Sequence, residues 1–104
     1  MTANDEANQA ILQTLASIPD GKVCTYGTIA KLSGNNGKAR YVGHILKNLP
    51  KNSAIPWHRV INSQGKISFP ENSHHHLLQT ERLEAEGVKL INGKVNLKQH
   101  IWMG

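Results

Sequence analysis

The sequence predicts a small, mostly helical α/β domain in which a helix-turn-helix is followed by a C-terminal β-hairpin. Three observations predict it. Apolar residues recur near a 3.6-residue period in four segments. A Gly34-Asn35-Asn36-Gly37 turn separates the second segment from the third. Near the C-terminus, Asn92-Gly93 lies between two short apolar runs, the strongest local hairpin signal a sequence carries.

Residues 5–17 read as the first helix. Ala7, Ala10, Ile11, Leu15 and Ile18 fall on one face, and Asp5 and Glu6 suit the positive end of the helix dipole. Pro19-Asp20-Gly21 stops it. Val23 to Thr25 is a short strand, and Thr25 caps a second helix that runs to about Leu32, with Ile29 and Leu32 inward. A third helix spans 38–48 with Val42, Ile45, Leu46 and Leu49 as its apolar stripe. Lys38, Arg40, Tyr41, His44 and Lys47 lie off that stripe, the composition of a helix that rests on DNA. Residues 50–72 are rich in loops, with Val60-Ile61 a strand end and Asn62 to Gly65 a tight turn. A fourth helix, from about Ser73 to Glu86, carries Leu77, Leu78, Leu83 and Ala85 and is closed by Gly87. The hairpin occupies the segment from Val88 to Leu97.

A length of 104 residues suits one domain, taken as residues 1–104. With 38% hydrophobic and 18% charged residues, the chain is globular rather than disordered. No apolar run approaches the roughly 20 residues of a membrane span. The polar, acidic stretch Met1 to Glu6 is unlike a secretory signal. A single cysteine, Cys24, forms no internal disulfide and suits a reducing cytosol, so a cytoplasmic protein is expected, nucleoid-associated in a bacterium. The net charge is +5, and eight basic residues from Lys22 to Lys66 meet no acid between Asp20 and Glu71. Attraction to a polyanion is one reading of this asymmetry, and plain solubility is the other. No Cys-x-x-Cys, P-loop or paired-carboxylate motif is present. Consecutive residues of a helix point about 100° apart, so His74-His75-His76 cannot share one ion. Neither a metal nor a cofactor is expected.

The chemistry gathers at Ile55-Pro56-Trp57-His58-Arg59-Val60. With cysteine in place of Trp57 this run is the active-site signature of the O6-alkylguanine-DNA alkyltransferases, which take an alkyl group from guanine onto that cysteine. Two further motifs occur in the same order as in that family. Gly21-Lys22-Val23-Cys24-Thr25-Tyr26-Gly27-Thr28-Ile29-Ala30 is similar to its turn and the first helix of its helix-turn-helix, and Lys38-Ala39-Arg40-Tyr41-Val42-Gly43 to the start of its recognition helix. The chain resembles the alkyltransferase-like proteins, the relatives that lack the cysteine, over roughly residues 5–91. The implied fold is the winged-helix-like DNA-binding domain of the alkyltransferase C-terminal half.

Residue by residue, the resemblance implies that Arg40 is a finger entering the duplex through the minor groove to fill the gap left by a flipped base. A planar guanidinium stacks and donates in place of a purine. Tyr26 would crowd the phosphate of the rotating nucleotide. Lys38, Ala39 and Lys47 would lie on the DNA. Tyr26, Trp57, Val60 and Ser68 would line the lesion pocket. Asn48 would tie the recognition helix to the active-site loop, with His58 and Arg59 as its scaffold. The residues alone also allow Arg40 as a helix-surface arginine, and Tyr26 and Trp57 as core aromatics. Three departures stand out. One extra residue lies between Asn48 and Pro56. Pro70 stands near where some relatives carry an arginine, so affinity or lesion range should differ. The enzymes polarise the histidine with a glutamate of the next helix, and the register places Thr80 there, beside Glu81, so no such relay is expected.

The expected function is non-enzymatic recognition of O6-alkylguanine in duplex DNA, by a monomer that shields the lesion from alkyltransferases and flags it for nucleotide-excision repair proteins. An indole N–H only donates and cannot accept an alkyl group as a thiolate does. Two alternatives remain: a helix-turn-helix regulator reading intact DNA, and a transferase using another acceptor, for which Cys24 beside Thr25 is the one candidate.

Overall fold

The structure, a computed structural model, describes residues 3–104. Met1 and Thr2, part of the acidic N-terminal stretch, lie outside the described residues. Helix α1 spans Ala3–Ala16 and buries Ile11 and Leu15 completely. Strand β1 is Cys24–Thr25, and Thr25 caps α2 (Tyr26–Leu32) by accepting from the Thr28 N–H at 3.2 Å. After the turn, in which Gly34 and Gly37 both take positive φ, α3 runs over Ala39–Lys47. Helices α2 and α3 pack on each other and form the expected helix-turn-helix.

A 3₁₀ turn at Trp57–Arg59 leads into β2 (Val60–Ile61). Strand β2 pairs in parallel with β1, Cys24 opposite Val60 and Thr25 opposite Ile61. Alternation along these short strands divides the core. Cys24 and Val60 face Ile11, Leu15, Ile29 and Val42, while Val23 and Ile61 face Leu83, Val88 and Val95. The pair therefore sits between two apolar clusters and binds the helix-turn-helix to the C-terminal part.

Helix α4 covers His74–Ala85, with Ser73 as N-cap and Glu86 as C-cap. Strands β3 (Leu90–Ile91) and β4 (Lys94–Val95) form the expected hairpin, with positive φ at Asn92 (53°) and Gly93 (76°), as a type I′ turn requires. A short helix α5 (Leu97–His100), not expected from the sequence, returns Ile101 to pair in parallel beside Val23.

Three inward assignments are corrected. Leu32 is 40% exposed, because α2 ends there and turns its last residue outward. Leu77 is 56% exposed and Ala85 is also exposed. The buried side of α4 is Gln79 and Leu83, four residues apart.

Candidate functional site

Helix α3 presents Lys38, Arg40, His44 and Lys47 to solvent, with Ala39 half-buried between them. Arg40 makes no hydrogen bond or ion pair among the described residues. Tyr41 belongs to the interior instead: its hydroxyl bonds to Asn8 of α1 and its ring borders the core. Gly43 faces Tyr26, and a Cβ there would lie 3.8 Å from the tyrosine ring, so α3 rests closely on that ring.

Tyr26, at the start of α2, donates through its hydroxyl to Ser68 Oγ at 3.0 Å. Two of the predicted pocket residues, 42 positions apart, thus meet across one rim. Trp57 is half-buried and packs on Phe69, the residue that follows Ser68. Its ring meets Phe69 edge-on, with centroids 6.0 Å apart, and His75 at 6.2 Å, while Phe69 and His75 stack at 5.0 Å. The Arg82 guanidinium lies over the indole at 5.2 Å, within cation–π range. Phe69 belongs to the 66–70 loop expected to line the pocket, whereas His75 and Arg82 are site residues that the sequence did not indicate.

Val60 is only 2% exposed and packs in the core, so its side chain supports the site from beneath rather than lining it. Asn48 is corrected too. Its side chain donates to His44 O at 2.8 Å, satisfying a carbonyl at the end of its own helix rather than reaching the loop. The tie to the loop comes from α4. Gln79 Nε2 donates to the carbonyls of His58 (3.0 Å) and Val60 (2.8 Å), and is 2% exposed.

Beneath Trp57 lies a charged knot. Glu86 meets His58 Nε2 at 2.7 Å and accepts from Arg59 Nε at 3.0 Å and Nη2 at 2.8 Å. It also accepts from the Gly21 N–H at 3.2 Å, while Arg59 Nη1 donates to Ile18 O at 2.8 Å. One carboxylate therefore joins the α1–β1 loop, the 3₁₀ turn and the end of α4. The expectation that no carboxylate reaches His58 is overturned: neither Thr80 nor Glu81 takes this place, because Glu86 at the C-cap does. A signal existed. A glutamate at the negative end of a helix dipole is unfavourable without a cationic partner.

Burial pushes the Glu86 carboxyl up, but Arg59, His58 and the Gly21 N–H outweigh it and hold it at about 2, below its ordinary 4.5. The sign follows from linkage. A depressed carboxyl stabilises the fold above its unfolded pKa and loses that contribution as pH falls toward its folded one. The window here is from about 4.5 down to about 2, and the displacement corresponds to about 3 kcal/mol. Urea midpoints measured across that window should fall more steeply for the wild type than for Glu86→Gln. Parallel curves would place the acid sensitivity elsewhere.

Cys24 is fully buried, and burial pushes its thiol up to about 11, only partly offset by the backbone hydrogen bond at Thr25. It is a packed neutral thiol, unsuited to nucleophilic attack. No group of three or more His, Cys, Asp or Glu among the described residues could hold a metal ion. No helix among them is long and apolar enough to cross a membrane. A cleft of about 380 Å³ between α1, Leu32 and Trp102 includes none of the site residues above.

Residues 6–88 match the family described as the 6-O-methylguanine DNA methyltransferase, DNA binding domain. The chain is 48% identical over 93 residues to a DNA base-flipping protein of Vibrio parahaemolyticus, covering 88% of this chain and 91% of that one. It is 41% identical over 103 residues to alkyltransferase-like protein 1 of Schizosaccharomyces pombe, covering 94% and 95%. The crystal structure of the S. pombe protein in complex with damaged DNA containing O6-carboxymethylguanine superposes with a TM-score of 0.85 at 40% identity, over 98% of each chain.

Proposed function

This chain belongs to the family of the 6-O-methylguanine DNA methyltransferase DNA-binding domain, and we propose that Trp57 stands where the enzymes carry their cysteine and that the protein senses DNA damage without repairing it. It binds duplex DNA through the minor groove, turns an O6-alkylated guanine out of the stack, and holds the base at the rim formed by Tyr26, Ser68 and Trp57. Arg40 fills the vacated place. Unstacking costs a few kcal/mol, and least where pairing is already weakened, so selectivity needs no chemistry. The unmodified protein then shields the lesion from alkyltransferases and marks it for nucleotide-excision repair. It acts as a monomer in the cytoplasm.

One observation carries this most directly. The Trp57 ring meets Phe69, the residue after the Ser68 that accepts from Tyr26, while its chain neighbours His58 and Arg59 are both held by Glu86. An indole at this position offers no thiolate to accept an alkyl group. The names of the relatives agree: two of them are a base-flipping protein and an alkyltransferase-like protein. A helix-turn-helix regulator reading the major groove is the second reading. It is the weaker one, because Ala39 and Gly43 leave α3 poor in base-reading side chains.

The test is fluorescence anisotropy with two short duplexes that differ only in one O6-methylated guanine. Tighter binding to the modified duplex is expected, and Trp57→Ala should narrow the difference. Equal binding of the wild type to both duplexes would leave a DNA-binding domain without lesion recognition. An unaltered ratio in the variant would return Trp57 to a packing role.

A further inference from the structure

The surface beyond Ser68 is built of lysines. Gly65 has φ +83°, and a Cβ on it would lie 2.8 Å from the Val95 carbonyl oxygen, so glycine alone lets the chain run this close to β4. The Val95 N–H donates to Gly65 O at 2.9 Å. This seats Lys66 opposite Lys94 in an antiparallel bridge. That hydrogen bond flanks the pair rather than joining it. Such pairs bring opposing side chains nearest, with Cα atoms about 4.5 Å apart.

Lys94 in turn faces Ile91 across the hairpin. Residues directly opposite share a face, as do alternate residues of one extended segment. Lys66, Lys94 and Ile91 therefore share a face, and Ser68 and Lys89 lie two residues along the chain from Lys66 and Ile91. Exposure agrees: all five are exposed, whereas Ile67 and Val95 on the other side are buried. Like charges placed directly opposite disfavour a sheet. The two salt bridges among the described residues both belong to Glu86, and none reaches these lysines. A ribbon of unpaired lysines thus begins two residues from the serine that accepts the Tyr26 hydroxyl.

We propose that Lys66, Lys94 and Lys89 form a second phosphate-binding surface, which holds the backbone of the bound duplex to one side of the lesion. This rests on the duplex-binding reading above and adds a contact area separate from α3. The ligand is a regular array of phosphates. A ribbon of cations without base-reading groups matches such an array and carries no sequence preference.

Binding of the full chain to the same two duplexes is measured against potassium chloride concentration. Each phosphate contact contributes about 0.9 to the log–log slope on duplex DNA. The double variant Lys66→Gln with Lys94→Gln should flatten the slope by about 1.8, and Lys89→Gln, which leaves the bridge intact, by about 0.9. The corresponding double arginine variant should keep the wild-type slope. The preference for the modified duplex should not change in any of them. Urea midpoints should match the wild type, since these side chains are exposed. A wild-type slope in the glutamine variants overturns the proposal and leaves the ribbon to an acidic protein surface. A flattened slope that arginine fails to restore overturns it as well. If the wild type binds neither duplex, the duplex-binding reading itself fails, which is a separate result.

Discussion

Replacing Glu86 by alanine should destabilise the domain by about 3 kcal/mol, a large part of the 5–15 kcal/mol that holds a small domain together. The side chains of Glu86, His58 and Arg59 are only 12%, 11% and 17% exposed, so water does little to replace the carboxylate. Arg59 would keep its bond to Ile18 O and lose three to Glu86, and the Gly21 N–H would lose its acceptor. Leaving such donors buried without a partner costs more than the pair contributes when intact. Glu86→Gln should cost less, because an amide oxygen still accepts from Arg59. Urea unfolding followed by circular dichroism reads both variants. A double-mutant cycle with Arg59→Ala should show coupling, since the two side chains touch. A loss below about 1 kcal/mol for Glu86→Ala would mean that the knot behaves as an exposed surface pair.

Arg40→Ala should weaken binding to the O6-methylguanine duplex by roughly 1–3 kcal/mol, which is about 5- to 150-fold. The free domain offers a clean test. Arg40 is exposed in the first turn of α3 and has no partner among the described residues. Its removal should therefore leave stability within about 0.5 kcal/mol of the wild type. Arg40→Lys should recover little, because a compact ammonium neither stacks nor presents a planar fork of donors. Unchanged lesion binding by the alanine variant would assign the finger role to another residue. The two variants are told apart by their readouts: Arg40→Ala binds poorly at wild-type stability, whereas Glu86→Ala lowers the urea midpoint.

The elements legible in the sequence share one property, which is that neighbouring residues decide them. Thr25 caps α2 because its hydroxyl reaches the N–H three residues on. Asn92-Gly93 turns the hairpin because both residues tolerate positive φ. The stripe of α3 buries Val42 and leaves Arg40 and Lys47 outside, as its period requires. Only the family resemblance puts Ser68 with Tyr26, since the hydrogen bond between them spans 42 positions.

Helix α4 shows why the rest escaped. Hydrophobic periodicity points to Leu77, Leu78, Leu83 and Ala85, yet the side turned to the site carries His75, Gln79, Arg82, Leu83 and Glu86. Those five follow helical spacing, but four of them are polar or charged, so an apolar pattern does not register them. Of these only Gln79 and Leu83 are buried, and the polar ones are held there by distant partners: Phe69 and Trp57 for His75, the His58 and Val60 carbonyls for Gln79, the Trp57 indole for Arg82, and Arg59, His58 and Gly21 for Glu86.

The helix-turn-helix, the hairpin, the basic face of α3 and the aromatic at position 57 are all legible in the residues, since each depends on local backbone preference or residue identity. That Glu86 anchors His58, that Gln79 ties down the loop, that β1 pairs with β2 and that Lys66 faces Lys94 emerges only once the chain is folded. Each of these needs two chain segments brought together by closing a long loop, and the free energy for that comes from burying the two apolar clusters on either side of β1 and β2.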